Sequence, residues 1–343
     1  MQAQRVLSDE ALPDYLRGLG LAGAADWVKV EPAGDGNINW VRRATLVGPE
    51  TRSLVIKQAR PALERFPQYQ APTERLVCEA HYLEVARSWD ADGVLPRVLA
   101  FDEPNRVLVL EDLGRAERLD HALARGSEST AALTTLATFL ARVHRGTRDD
   151  ESLAPRFANE AMQRLHGDHI FVLPYAQNDF PLPPRTAERA AALCADDALR
   201  EAAARAYARY LTPEGALVHG DVQAGNILLP VRGVKLLDAE IAHVGDPAFD
   251  VGMLLAHLLI PAAATARPSQ ALPALGACWK AYCAAHGERG LPASADALRY
   301  AGLELVRRCI GAARVAAVAS DASSLAVIDA GVTLLRGGSL EAL

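Results

Sequence analysis

The stretch Leu217-Val-His-Gly-Asp-Val-Gln-Ala-Gly-Asn-Ile-Leu-Leu229 sets two short β-like apolar runs on either side of a polar loop, and Val234-Lys-Leu-Leu-Asp-Ala-Glu240 follows with an acidic pair. Phosphoryl transfer asks for these parts. A carboxylate must accept or orient the acceptor hydroxyl, and oxygen ligands must hold Mg²⁺ against nucleotide phosphates, because catalysis of this kind is mostly positioning and charge neutralisation. Asp221 and Asn226 stand five positions apart, the Asp-to-Asn spacing of phosphoryl-transfer loops. Asp221 is therefore the candidate catalytic residue and Asn226 a candidate metal ligand. Asp238 and Glu240 complete the metal set, and alternation in an extended segment is expected to point both carboxylates to one side. His219 is expected to brace the loop by hydrogen bonds. Asp250, in Asp246-Pro-Ala-Phe-Asp-Val-Gly252, is expected to start a helix and tie the loop down.

Upstream, Gly34-Asp-Gly-Asn-Ile-Asn39 supplies a turn suited to phosphates, with Asn39 as a nucleotide contact, ahead of a basic residue, Lys57. Residues 38–47 and 52–58 read as strands joined by the turn-prone Gly48-Pro49-Glu50. Thr73 to Trp89 has helical apolar spacing at Leu76, Ala80, Leu83 and Ala86, and Glu79 on that helix is placed to pair with Lys57 and fix its ammonium toward phosphate. Arg106-Val-Leu-Val-Leu110 reads as a buried strand running into Glu111-Asp112-Leu113-Gly114, where Gly114 is the breaker. Glu111 and Leu113 then fall where an interlobe hinge presents backbone groups to adenine. The order predicts an α+β, two-lobed, protein-kinase-like fold. Residues 1–113 form an N-lobe of antiparallel sheet plus helix with the hinge, and residues 114–343 a larger, mainly helical C-lobe, with ATP in the cleft.

Downstream of the hinge, Ala131 to His144 carries Leu133, Leu136, Phe139, Leu140 and Val143 at three- and four-residue spacings, which predicts a helix packed on a core. Phe171 to Arg185 contains four prolines with Asn178 and Asp179, so an irregular excursion bordering the substrate site is expected there.

Composition agrees with this reading. The chain has 343 residues, half of them hydrophobic, and a formal net charge of −6, the profile of a globular protein with no overall grip on nucleic acid. Five scattered cysteines without a CxxC pair suggest neither a disulfide framework nor a zinc ribbon. The start lacks an apolar signal core, and the most apolar stretch, Met253 to Ala266, holds His257 and Pro261 and is short for a bilayer span. A cytoplasmic protein with no membrane partner is expected.

Taken together, Gly34 to Asn39, Lys57-Gln58, Arg75 to Glu79, Glu111 to Leu113, His219 to Asp221, Asp238 to Glu240 and Arg307-Arg308 resemble the motifs of the aminoglycoside phosphotransferase-like kinases, and within them the methylthioribose kinases, over roughly residues 30 to 315. That resemblance implies a sugar kinase with ATP as co-substrate and Mg²⁺ as cofactor, transferring to the anomeric hydroxyl of methylthioribose or a related pentose. It also implies that Arg307 or Arg308 contacts the sugar beside Asp221, and it points toward a homodimer. The chain departs from the family pattern at Gln223 and Asn226, where the family carries His and Ser. Three other readings stay open: an aminoglycoside phosphotransferase, another small-alcohol kinase, and a catalytically dead nucleotide-binding regulator. A solvated helix face is the plain alternative for Arg307-Arg308.

Overall fold

The structure, a computed structural model, describes residues 4–34, 38–48, 50–62, 64, 70–127, 129–311 and 313–340. Asp35, Gly36 and Asn37 of the expected phosphate turn, and Pro49 of the strand-joining turn, lie outside them.

Five antiparallel strands form the N-terminal sheet: β1 (Trp27–Pro32), β2 (Trp40–Val47), β3 (Arg52–Gln58), β4 (Val98–Asp102) and β5 (Val107–Glu111), in the order β1-β2-β3-β5-β4. β5 is inside the sheet and apolar on both faces, as its unbroken Val107-Leu-Val-Leu110 run requires. Alternation sends Val107 and Val109 into one cluster with Leu54, Ile56, Trp40 and the helix α1 (Leu12–Gly18). Leu108 and Leu110 go the other way, into the large core shared with α2 (Arg75–Ala86) and the helical remainder. α2 appears where its apolar spacing predicts it.

The C-terminal part is mainly helical. The expected amphipathic helix is α3 (Thr130–Thr147), with Leu133, Leu136, Phe139, Leu140 and Val143 all buried. The proline-rich excursion is shorter than expected. Asp168–Val172 and Leu173–Tyr175 are helical turns, the irregular path is confined to 176–183, and Pro184 opens the helix α4 (Pro184–Cys194). A proline at the first helical position loses no hydrogen bond and arrives with its φ already helical.

At the centre lies α5 (Ala248–Ala264), buried around nearly its whole circumference, as a helix apolar on every side should be. Among the described residues no helix is long and apolar enough to cross a membrane. α6 (Ser294–Ile310) packs between α5 and α7 (Asp321–Leu335). Its crossing with α7 is a backbone contact: a Cβ on Gly302 would lie 2.6 Å from the Gly331 carbonyl oxygen, and one on Gly331 2.8 Å from that of Gly302. This close seat fixes the end of α6 that carries Arg307 and Arg308.

Two small antiparallel pieces hold the polar loops against this helical body. β7 (Ala216–Val218) pairs with β10 (His243–Gly245), and β8 (Ile227–Leu229) lies between β6 (Glu117–Arg118) and β9 (Lys235–Leu236).

Candidate active site

Lys57 faces α2 because its neighbours Ile56 and Leu54 face α1. Its Nζ donates to both carboxylate oxygens of Glu79, at 2.8 and 2.7 Å, and to Asp238 Oδ1 at 2.5 Å. Lys57 is 5% exposed and Glu79 2%, where an unpaired charge would be strongly penalised. Burial alone would push Lys57 down, but Asp238, Glu79 and Glu240 outweigh it and hold the ammonium charged. Burial raises the Glu79 carboxyl against the pull of Lys57, whereas at the partly exposed Asp238 the loss of water is outweighed by Lys57, which keeps the carboxyl below its ordinary range.

One helical turn before Glu79 on the same face of α2, Arg75 is completely buried. Its Nε donates to Asn39 Oδ1 at 3.0 Å and lies 3.5 Å from Glu240 Oε2, while Asn39 Nδ2 donates to that same Oε2 at 2.9 Å. Asn39 therefore joins the sheet to Glu240, and its amide is engaged at both ends. Burial raises the Glu240 carboxyl.

Asp238 and Glu240 do not reach this cluster by strand alternation. β9 ends at Leu236, Asp238 takes a left-handed conformation at φ +65, and the chain turns, with Ala242 N donating to Ala239 O at 3.1 Å. Asp is among the residues that tolerate this region best. The turn delivers both carboxylates toward Lys57.

The loop after β7 is held from below. His219 N and Gly220 N donate to Asp250 Oδ2 and Oδ1 at 2.7 and 2.9 Å. Asp250 lies in the first turn of α5, and its Oδ2 also meets His144 Nε2 at 3.1 Å. At Gly220, φ is +81 and a Cβ would stand 2.5 Å from the Ile241 carbonyl oxygen, so the turn needs glycine. Burial pushes His219 down to about 4, leaving it neutral, and its Nδ1 accepts from Asp221 N at 3.2 Å. His219 and Asp250 brace the loop as their positions predicted.

Asp221 Oδ2 accepts from Gln223 Nε2 at 2.9 Å and Asn226 Nδ2 at 2.8 Å. Its Oδ1 faces His166 Nε2 at 3.7 Å. Burial pushes the Asp221 carboxyl up to about 6, with Arg307 and Arg308 opposing. Asn226 O accepts from Leu237 N at 2.9 Å, so the Asp221 loop is tied directly to the segment that carries Asp238.

Arg307 and Arg308 are not a solvated face. They are 7% and 5% exposed and both donate to Glu304, itself completely buried. The two guanidiniums overcome burial and hold Glu304 well below the ordinary carboxylate range. His257 Nε2 lies 3.2 Å from the same carboxylate.

At the end of β5, the Glu111 carboxylate accepts from Arg97 N, Arg97 Nε and Lys235 Nζ, at 3.0, 2.9 and 3.1 Å, and Leu113 is half-buried. Asp112, which sequence reasoning passed over, ties this end to the sheet through Arg43 and Ser53. Glu304 and His166 were missed too. Glu304 stands three and four positions before the arginine pair on a helix, a spacing that signals pairing. His166 sits in no motif and carried no signal.

The chain matches the model of the phosphotransferase enzyme family over residues 29–289. The match takes in Asn39, Lys57, Glu79, Asp221, Asn226, Asp238 and Glu240 and stops before Arg307-Arg308. Similar curated proteins include a methylthioribose kinase from Geobacillus sp. (strain WCH70), 28% identical over 333 residues, covering 87% of this chain and 82% of that protein. Another is a methylthioribose kinase from Yersinia enterocolitica serotype O:8, 29% identical, covering 88% and 85%. Among solved structures, a choline/ethanolamine kinase family protein from Mesorhizobium loti aligns with a TM-score of 0.51 at 17% identity, over 96% of this chain and 94% of that one. A spectinomycin phosphotransferase in complex with ADP and spectinomycin aligns at 0.53 and 11% identity, over 99% and 100%. These alignments show the shared fold, an antiparallel sheet followed by a mainly helical body. With its family model running through the Lys57–Glu79–Asp238 cluster, the Asp221–Asn226 loop and most of the chain, the protein belongs to the phosphotransferase enzyme family.

Proposed function

We propose that the protein transfers the γ-phosphoryl group of ATP to a sugar hydroxyl, and that the sugar is 5-methylthioribose or a closely related pentose, phosphorylated at its anomeric hydroxyl. The observation that carries the transfer is the meeting of Lys57, paired with Glu79 and Asp238, with the Asp221–Asn226 loop, tied together at Leu237. In this reading residues 1–113 are the nucleotide lobe and 114–343 the acceptor lobe. Lys57, held by Glu79, takes the phosphates, Asn39 shapes that end of the site, and Glu111 and Leu113 border the adenine. Asp221 receives the acceptor's proton as its oxygen bonds to the γ-phosphorus and the bond to the ADP oxygen breaks. A carboxyl raised to about 6 is ionised at neutral pH yet more basic than an ordinary one.

The donor set fits Mg²⁺. Asp238 is 44% exposed, with one oxygen outside its bond to Lys57, Asn226 bonds Asp221 through its nitrogen and keeps its side-chain oxygen, and Glu240 bonds through Oε2. These are hard oxygens, and Mg²⁺ typically adds phosphate oxygens and water to one or two carboxylates. Bound there, the ion would neutralise charge on the phosphates.

The acceptor assignment is supported by the cationic wall beside Asp221. At least one of Arg307 and Arg308 offers guanidinium donors to sugar hydroxyls in a fixed geometry, and this wall disfavours cationic acceptors such as aminoglycosides or choline. The Geobacillus and Yersinia relatives, both methylthioribose kinases, point the same way. An ADP-release screen over methylthioribose, deoxypentoses, other sugars, choline, homoserine and aminoglycosides tests it. The highest kcat/KM is expected for methylthioribose or a near pentose, and a preference for a cationic acceptor would overturn the assignment.

A further inference from the structure

Arg307 and Arg308 are neighbours in sequence, yet it is Arg308 that a hydrogen-bonded relay joins to Asp221, while Arg307 bonds Glu304. Arg308 Nε donates to Glu304 Oε1 at 2.5 Å, its Nη1 to Ala313 O at 3.2 Å and its Nη2 to Gln223 Oε1 at 2.7 Å. Gln223 then donates from Nε2 to Asp221 Oδ2 at 2.9 Å. All three guanidinium nitrogens of Arg308 are thus engaged, and an unbroken hydrogen-bonded chain runs from the buried Glu304 to one carboxylate oxygen of Asp221. Gln223 has to accept at one end and donate at the other, which an amide does and a carboxylate does not.

Among the described residues, Arg307 is engaged only through Nη1, by Glu304. Its Nε, and both ring nitrogens of His166, are buried without a partner among the described residues. The His166 ring stands edge-on to Phe249 and puts Nε2 3.7 Å from Asp221 Oδ1, the oxygen the Gln223 chain leaves alone. Buried nitrogens left unpaired are costly in a folded protein; these three are closed from solvent without a ligand, and oxygens of a polyhydroxylated ligand would pair them once the side chains around them shift.

We propose that Gln223 is a positioning residue, locking Asp221 to Arg308 and Glu304 so that Oδ1 alone faces the acceptor, and that Arg307 with His166, rather than Arg308, lines the acceptor subsite. This rests on Asp221 being the group that takes the acceptor's proton.

The test is steady-state kinetics with Mg·ATP and methylthioribose, or the alcohol ranking highest in the ADP-release screen, beside melting curves for every variant. Gln223→Ala is expected to lower kcat about 10- to 100-fold, the range for a displaced catalytic group, with acceptor KM nearly unchanged. Gln223→Glu keeps an oxygen for Arg308 but loses the N–H that Asp221 accepts, and should lose as much. Adding Arg308→Ala to Gln223→Ala should lower kcat no further, because both cut one chain. Arg307→Ala and His166→Ala should instead raise acceptor KM by about tenfold or more, with the Mg·ATP KM unmoved. Wild-type kcat in either Gln223 variant overturns the positioning role. An acceptor KM raised by Arg308→Ala as much as by Arg307→Ala overturns the division between the arginines. Asp221→Asn in the same panel separates the two levels: near-normal turnover there sinks the proposed function and the Gln223 role together, while the KM comparison still decides which arginine meets the acceptor.

Discussion

The two sides of the site are finished to different degrees. On the sheet side, Lys57, Glu79 and Asp238 form one hydrogen-bonded trio and Asn39, Arg75 and Glu240 another, and Asn39 and Arg75 are engaged before any ligand arrives. On the helical side, Glu304, Arg308 and Gln223 are equally well tied, but Arg307 Nε and the His166 ring nitrogens are buried without a hydrogen-bond partner among the described residues. The difference teaches that one side is preorganised for a ligand common to many kinases, while the other leaves its last contacts to the particular acceptor. Preorganisation suits phosphates, whose charge rewards fixed donors. Unpaired nitrogens suit recognition of hydroxyls, since a ligand lacking the matching oxygens leaves them desolvated.

The largest effect that would sharpen this contrast is loss of Asp221. Asp221→Asn should lower kcat by about 10²- to 10⁴-fold, the usual worth of a general base, with ATP affinity nearly intact. Near-normal turnover would break the assignment. Next is the support beneath the acceptor side. Glu304→Leu strands two buried guanidiniums that cannot shed their charge, and thermal or urea unfolding should report a loss of about 3–5 kcal/mol. A change below 1 kcal/mol would mean that Arg307 and Arg308 reach water and the pocket is looser than described. Smaller again is the effect at Glu240. Glu240→Gln should raise the Mg²⁺ needed for half-maximal rate by about 10- to 100-fold, because one anionic oxygen fewer offsets the metal charge, with excess Mg²⁺ restoring turnover. Mg²⁺ titrations of Glu240→Gln and Asp238→Ala that both match wild type would remove the acidic pair from the metal site.

Much of this was legible in the sequence because it is local. The Asp221-to-Asn226 spacing, the Lys57 strand and the Arg75-to-Glu79 helical turn are each written within a few residues, and periodicity places them on the correct faces. Asp238 reads as part of an extended run because nothing in Lys235-Leu-Leu-Asp238 announces a left-handed residue; the turn it makes sets Glu240 against Asn39 and Arg75. Pro184 reads as a loop residue in the sequence, although the first turn of a helix accommodates it equally well. Glu304 could have been found from its spacing to the arginines, whereas the approach of His166 to Asp221 joins residues 55 positions apart through tertiary packing alone. The acceptor side is less legible for the same reason that it is less complete: its contacts are long-range and partly await the ligand.

Transfer from ATP to the anomeric hydroxyl of a methylthiopentose can be read by ³¹P NMR of the reaction with Mg·ATP and methylthioribose. Transfer at that hydroxyl yields ADP together with a new phosphate monoester whose phosphorus couples to the anomeric proton, formed about 10²- to 10⁴-fold more slowly by Asp221→Asn. A monoester at another carbon, or release of inorganic phosphate with the sugar unchanged, would contradict it.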